Sequence, residues 1–295
     1  MLASAPASAA NLGPGFDALA LALERYIEVE VEPASSLVVR SEGEGAGLSD
    51  NATHLAARVA IEVAGHDRLA ITVRSEIPVA RGMGSSAALA VAAAAAAGSP
   101  DPLAVAARVD GHPENAAASV VGGLVSASMI RGQVRVVRLP LDADIEFVVV
   151  VPERTLPTKS ARQALPETID REDAVFNIGR MGMLVAGLAD HRFLSKEATD
   201  DRLHQPYRTQ LFPEAPALLK ALIEGGARAA CWSGAGPSLL AMCGPGEAKG
   251  VAEAASAALQ AEGVPGEALI LPADRRGLVI GEAARDLHRS AGSII

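Results

Sequence analysis

The chain of 295 residues, 49% hydrophobic and 21% charged, is long enough for one or two domains with a sizeable core. Its net charge of -9, with no lysine- or arginine-rich block, argues against nucleic acid as a main partner. The longest apolar run, within Ala87–Ala97, is too short and too alanine-rich to span a bilayer, so no membrane partner is expected.

In chain order, MLASAPASAANLG lacks a basic start and an apolar h-region, so it reads as mature protein, with a cytoplasmic location as the expectation. ASAANLGPGFDALALALE (7–24) reads as a glycine-proline-glycine turn that opens a helix. YIEVEVE (26–32) alternates and predicts a half-buried strand, and LVVRS (37–41) a second. ATHLAARVAIEVAG (52–65) has helical periodicity and a C-terminal cap at Gly65. LAITVRS (69–75) alternates again. After the loop that Pro78 opens, strong helix formers run from Ser85 to Gly98. SPDP (99–102) breaks that helix and starts another, with Asp101 as N-cap and Pro102 as first residue.

Further on, GHPEN (111–115) leads into a short helix ending at Gly122-Gly123. LVSASMI and QVRVVRL flank Arg131-Gly132 as a hairpin, and IEFVVVV (145–151) is a buried strand. Helices over about 173–189 and 214–224 then alternate with strands at 227–232, 238–243 and 267–271. The polar, proline-rich segment 152–166 is the candidate domain crossing, which puts one domain at 1–151 and a second at 152–295. Hairpins and scattered helices indicate α+β rather than a doubly wound sheet. Cys231 and Cys243 show neither CxxC spacing nor a neighbouring histidine, which fits a reducing compartment and ordinary burial.

The stretch PVARGMGSSAALAV (78–91) carries the most chemistry. The first amides of the helix lack intrahelical partners, and the helix dipole adds positive charge there. Glycines at 82 and 84 let the backbone curve around an anion, and Ser85 and Ser86 add hydroxyls that reach phosphate oxygens or a magnesium ion. Ser85 as a simple helix cap beside a glycine turn is the equally weighted alternative. No lysine follows the glycines, which excludes a Walker A loop. GMGSSA meets the loose dinucleotide pattern, but SPDP follows where a Rossmann unit needs a parallel strand. Taken singly, Asn11 and Asp17 are equally readable as turn or cap residues, and His112 as a loop histidine.

Together, ANLGPGFD (10–17), PVARGMGSSAA (78–88), GHPEN (111–115) and SGAGPS (233–238) resemble the GHMP kinase superfamily. PTKSARQALP (157–166) and PYRTQLFP (206–213) resemble its homoserine kinase family more than its cousins. The resemblance implies a two-domain α+β fold, with a ribosomal S5 domain 2-like N-terminal domain that binds ATP and a ferredoxin-like C-terminal domain. It implies transfer of the ATP γ-phosphoryl group to the hydroxyl of L-homoserine, a step in threonine synthesis, and a homodimer. Another small-molecule GHMP kinase, of mevalonate or shikimate type, and a non-catalytic metabolite-binding member are the alternatives.

The resemblance also assigns residues. Pro78, Arg81, Gly82, Met83, Gly84, Ser85, Ser86 and Ala87 belong to the phosphate-binding segment, and Ser86 and Asp110 hold magnesium. Asp17 offers the negative partner for the substrate ammonium, and the amide of Asn11 both donates and accepts. Arg162 and Arg208 make forked contacts to the carboxylate, with Thr158 in the same wall. His112 lines the homoserine pocket, Asn115 orients the attacking hydroxyl, and Gly234–Ser238 closes the site.

Two departures stand out. Glu114 occupies a position where homoserine kinases usually show aspartate, and His54-Leu55 replaces the usual Asn-Leu pair near adenine. His54 reads as a helix-start residue. No side-chain base is expected, because loose phosphoryl transfer needs little early proton removal.

Overall fold

The computed structural model describes residues 1–284, apart from the side chain of Asp110. In chain order the elements are β1 (Leu2–Ala10), β2 (Leu19–Pro33), β3 (Val38–Gly43), α1 (Leu55–Ala64), β4 (Leu69–Ser75), α2 (Ser85–Ala96), α3 (Pro102–Asp110) and α4 (Pro113–Val121). There follow β5 (Leu124–Ile130), β6 (Gln133–Leu139), β7 (Glu146–Pro152), α5 (Thr158–Gln163), α6 (Arg171–Ala189), α7 (Gln205–Arg208) and α8 (Ala215–Glu224). β8 (Ala229–Trp232), β9 (Leu239–Cys243), α9 (Ala248–Ala261), β10 (Gly266–Ile270) and β11 (Val279–Ile280) complete the described chain.

Two sheets divide these strands. One has seven strands in the order β11-β1-β2-β4-β3, with β5 pairing β2 and β6 pairing β5. The other is a four-stranded antiparallel sheet in the order β10-β7-β9-β8. β7 already belongs to the second sheet, so the chain crosses between β6 and β7, before the proline-rich 152–166 segment. Near its end the chain returns: Ala3 and Ser4 pair with Ile280 and Val279, and Asp274 accepts from the Tyr26 hydroxyl.

Alternation decides the strands. Leu19, Leu21 and Leu23, then Ile27, Val29 and Val31, face the main core. The expected helix after the glycine-proline-glycine turn is therefore absent, and β2 is one strand through Pro33. Its leucines recur every second residue, a period that suits a sheet and not a helix. The turn itself is built from left-handed backbone at Asn11, Leu12, Gly13 and Asp17. At Arg131 and Gly132 both φ values are positive (53° and 76°), the type I′ geometry that matches the twist of a two-residue hairpin.

α2 is the helix around which the first domain is built. Every residue from Ala87 to Ala96 is buried, so it is apolar all round, as a fully enclosed helix must be. Alanine at most positions lets β1, α1, α3 and α4 approach it closely. α9, with Val251, Ala255 and Leu259 on its buried face, is absent from the sequence reading. Cys231 and Cys243 are free and buried, and burial raises both thiol pKa values.

Asp101 caps α3, its carboxylate accepting from the Ala104 amide at 3.0 Å, with Pro102 as the first helical residue. Asp101→Ala is expected to cost about 1 kcal/mol, the usual worth of such a cap. A urea unfolding midpoint within error of the parent would show that the cap contributes nothing.

Candidate active site

The loop between β4 and α2 bends over the end of β1 and reaches the second domain. Gly82 (φ 80°) and Gly84 (φ 66°) are both left-handed. A Cβ on Gly84 would overlap the Ser8 hydroxyl and lie 3.1 Å from Asn115 Oδ1. One on Gly82 would overlap the Ser233 carbonyl and lie 2.9 Å from the Gly236 nitrogen. Glycine is required here by backbone angle and by contact together. The Ser8 amide donates to the Met83 carbonyl (3.1 Å), and the Ser233 hydroxyl donates to the Gly82 carbonyl (2.7 Å). The turn is therefore held from both domains.

Gly84 is the N-cap of α2 and no side chain caps the helix. Its first amides are left for an outside acceptor, with the positive end of the dipole behind them. A cavity of about 230 Å³ opens in front of them. The phosphate-segment residues expected from Arg81 to Ala87 all line it, and Pro78 is buried just before Val79, which also lines it. Asn11, Asp17, His112, Asn115, Thr158, Arg162 and Arg208 converge on the same cavity from distant parts of the chain. The side chain of Asp110 lies outside the described residues, so its place relative to Ser86 is an expectation from sequence only.

Several of these side chains are already engaged. Arg162 grips Asp17 with two bonds, Nη2 to Oδ1 at 2.6 Å and Nη1 to Oδ2 at 3.2 Å. The two groups assigned to opposite ends of one zwitterion thus satisfy each other. Asn11 accepts from the Asp17 amide (3.1 Å) and donates to the Gly234 carbonyl (2.9 Å), tying the β1–β2 turn to the second domain. Asn115 Oδ1 accepts from the Ser8 hydroxyl at 2.9 Å, which fixes its amide. His112 precedes α4 and is half-buried; burial foremost, then the Arg162 charge, lowers its pKa and favours a neutral ring.

Arg208 differs from the rest. It is 1% exposed, and its Nη1 donates to the Gly234 carbonyl at 2.8 Å and to His204 Nδ1 at 3.0 Å. Its Nε is buried with no partner among the described residues, and none of their carboxylates is hydrogen-bonded to the guanidinium. Desolvation, followed by repulsion from Arg162, lowers its pKa to about 10. A buried cation without a bonded counter-ion is costly, and this one lines the cavity. It is the strongest single mark of an anionic ligand.

Sequence reading missed Ser8, Phe16 and His204. The rings of Phe16 and His204 stack at 5.1 Å, and the guanidinium carbons of Arg162 and Arg208 each lie 5.6 Å from the Phe16 centroid. His204 was findable, since it stands four residues before Arg208, the spacing that puts two side chains on one helix face.

A second cavity, of about 280 Å³, adjoins the first through Val79, Ser85 and Ser86. Leu48, Leu55, Val73 and Leu89 give it apolar walls. His54 sits at its edge as the N-cap of α1, its Nδ1 accepting from the Ala56 amide at 3.2 Å. The expected helix-start role is the one observed.

Two family models match the chain: the GHMP kinases N terminal domain over residues 50–123 and the GHMP kinases C terminal domain over 184–261. The homoserine kinase of Thermus thermophilus is 40% identical over 273 residues, covering 88% of this chain and 92% of that protein. That of Leifsonia xyli is 38% identical over 310 residues, covering 97% and 94%. A crystal structure of homoserine kinase from Cytophaga hutchinsonii superposes with a TM-score of 0.83 at 26% identity, over 95% and 96% of the two chains. Mevalonate kinase from L. major, at 14% identity and a TM-score of 0.68, shares the fold.

Proposed function

The chain belongs to the homoserine kinase family of the GHMP kinases, and from that premise we propose that it transfers the ATP γ-phosphoryl group to the side-chain hydroxyl of L-homoserine, giving O-phospho-L-homoserine and ADP. The observation that carries this reading is the buried Arg208 edge without a bonded anion, in the same cavity as the uncapped start of α2. One end of the cavity suits phosphate, the other an amino-acid carboxylate.

In this reading the triphosphate lies against Gly82–Ser86, whose amides and hydroxyls donate to its oxygens. The adenine occupies the apolar cavity walled by Leu48, Leu55 and Leu89. Ser86 is exposed at the mouth of both cavities, so its hydroxyl suits a hard, oxygen-seeking ion. Ser86 would hold magnesium with Asp110, and a bound magnesium supplies charge neutralisation at the phosphates.

The zwitterion enters by exchange. Its ammonium takes Asp17 from Arg162, and its carboxylate takes the freed Arg162 and the open edge of Arg208. Two forked contacts fix the α-carbon end. His112 and Thr158 line the remaining wall, and Asn115, held by Ser8, orients the terminal hydroxyl. Positioning and charge complementarity carry the reaction, as loose phosphoryl transfer allows, without a side-chain base.

The test is ADP release, by coupled assay, with homoserine, mevalonate and shikimate offered to one preparation with ATP and magnesium. Turnover is expected with homoserine alone. Equal or faster turnover of an alcohol without the amino-acid group would overturn the substrate assignment. ATP and homoserine binding without turnover would make the chain a sensor.

A further inference from the structure

His204 has no part in the sequence motifs, yet its ring is fully buried between the β1–β2 turn and Arg208. Nε2 lies 2.8 Å from the Gly13 carbonyl oxygen, and Nδ1 lies 3.0 Å from Arg208 Nη1. A carbonyl only accepts and a guanidinium only donates. The ring must therefore carry its hydrogen on Nε2 and a lone pair on Nδ1, neutral and in one tautomer. A proton on Nδ1 would set donor against donor. Burial, chiefly, keeps the ring neutral; the Arg208 charge adds to this, and Asp201 opposes it.

The surroundings leave the ring no freedom. Asp201 accepts from Asn177 Nδ2 and from the amides of Leu203, His204 and Gln205, which fixes the turn that begins α7. Phe16 stacks on the imidazole with an interplanar angle of 24°. Arg208 Nη1 then has both hydrogens committed, one to His204 and one to Gly234. With that nitrogen pinned, the guanidinium plane cannot turn about its stem. The edge left over is Nε with Nη2, the fork that matches a carboxylate.

We propose that His204 is a positioning residue for substrate recognition: its Nδ1 lone pair holds Arg208 so that the Nε–Nη2 edge meets the α-carboxylate of the acceptor. The inference rests on Arg208 being the carboxylate anchor. His204 itself touches no substrate. It converts a flexible buried cation into a fork of set orientation.

The experiment compares L-homoserine with 3-aminopropan-1-ol, the same acceptor without its carboxylate. His204→Gln reaches the Nε2 position but lacks an acceptor where Nδ1 stands; His204→Asn keeps that acceptor. In His204→Gln, KM for homoserine is expected to rise about 10–100-fold, the usual result of a misplaced positioning group. KM for ATP and the rate with 3-aminopropan-1-ol should stay within about twofold, since neither uses the fork. His204→Asn should recover most of the loss. Equal losses with both acceptors, no loss in His204→Gln, or no recovery in His204→Asn would overturn the proposal.

The Arg208→Ala variant separates the two claims. If it keeps the preference for homoserine over 3-aminopropan-1-ol, the carboxylate reading itself fails. If it loses the preference while His204→Gln keeps it, only the role of His204 fails. A readout independent of variant folding is the nitrogen-15 spectrum of the native histidine-labelled protein. His204 should appear as the neutral Nε2–H tautomer across neutral pH, and a charged ring or an Nδ1–H tautomer would refute the proposal.

Discussion

Arg208→Ala is expected to lower kcat/KM for L-homoserine by about 10³-fold, the range found when one partner of a buried charge pair is truncated. Most of the loss should appear in KM, because the carboxylate is gripped equally before and during phosphoryl transfer. The physical ground is the desolvated guanidinium: it is 1% exposed, and its bonds go to a carbonyl and a neutral imidazole. Asp17 and Asp201 lend it charge only through space, and an incoming carboxylate supplies the bonded counter-ion it lacks among the described residues. Homoserine should also raise the melting temperature of the parent and leave that of Arg208→Ala unchanged, since only a ligand that binds the native state shifts unfolding. A variant within about tenfold of the parent, far below the cost of an unpaired buried charge, would remove Arg208 from the site.

Gly82→Ala should lower kcat/KM for ATP by about 10²-fold or more, the cost of displacing catalytic groups by an ångström. Gly82 has φ 80°, and its missing Cβ would overlap the Ser233 carbonyl and press on the Gly236 backbone. Both obstacles are main chain, so no side-chain rotation relieves them. The phosphate turn and the second-domain loop must separate, and the Ser233 bond to the Gly82 carbonyl parts with them. Gly98→Ala is the control. Gly98 has φ 90°, and a methyl group there would meet nothing within 4 Å, so it carries the strain alone. It should lose about 1 kcal/mol of stability and keep its activity. A Gly82→Ala enzyme with the parent KM for ATP would show that the turn does not hold the nucleotide.

Local features of the fold are legible in the residues themselves. The Asp101-Pro102 start of α3, the Gly65 cap of α1 and the Arg131-Gly132 hairpin depend on neighbours within a few residues, and each is found where the sequence places it. The start of β2 reads wrongly as a helix because a glycine-proline-glycine turn opens strands as well as helices. The leucine alternation at 19, 21 and 23 is the better signal. α9 is legible too, since its buried Ala248, Val251, Ala255 and Leu259 recur every three or four residues.

The site divides along the same line. Residues 82–86, the helix behind them and the histidine and asparagine of GHPEN lie in short contiguous motifs, so sequence alone determined that a glycine-serine turn opens a long helix, while the absence of a side-chain cap at Gly84 came from the structure. Only the tertiary structure decided which side chains face one another. Asp17 meets Arg162 across 145 residues of chain, Gly13 meets His204 across 191 and Asn11 meets Gly234 across 223. The burial of Arg208, the neutrality of His204 and the Asp17–Arg162 pair come from the docking of the second domain onto the β1–β2 turn. Desolvation and pairing belong to that assembled surface, and no local pattern of residues encodes them.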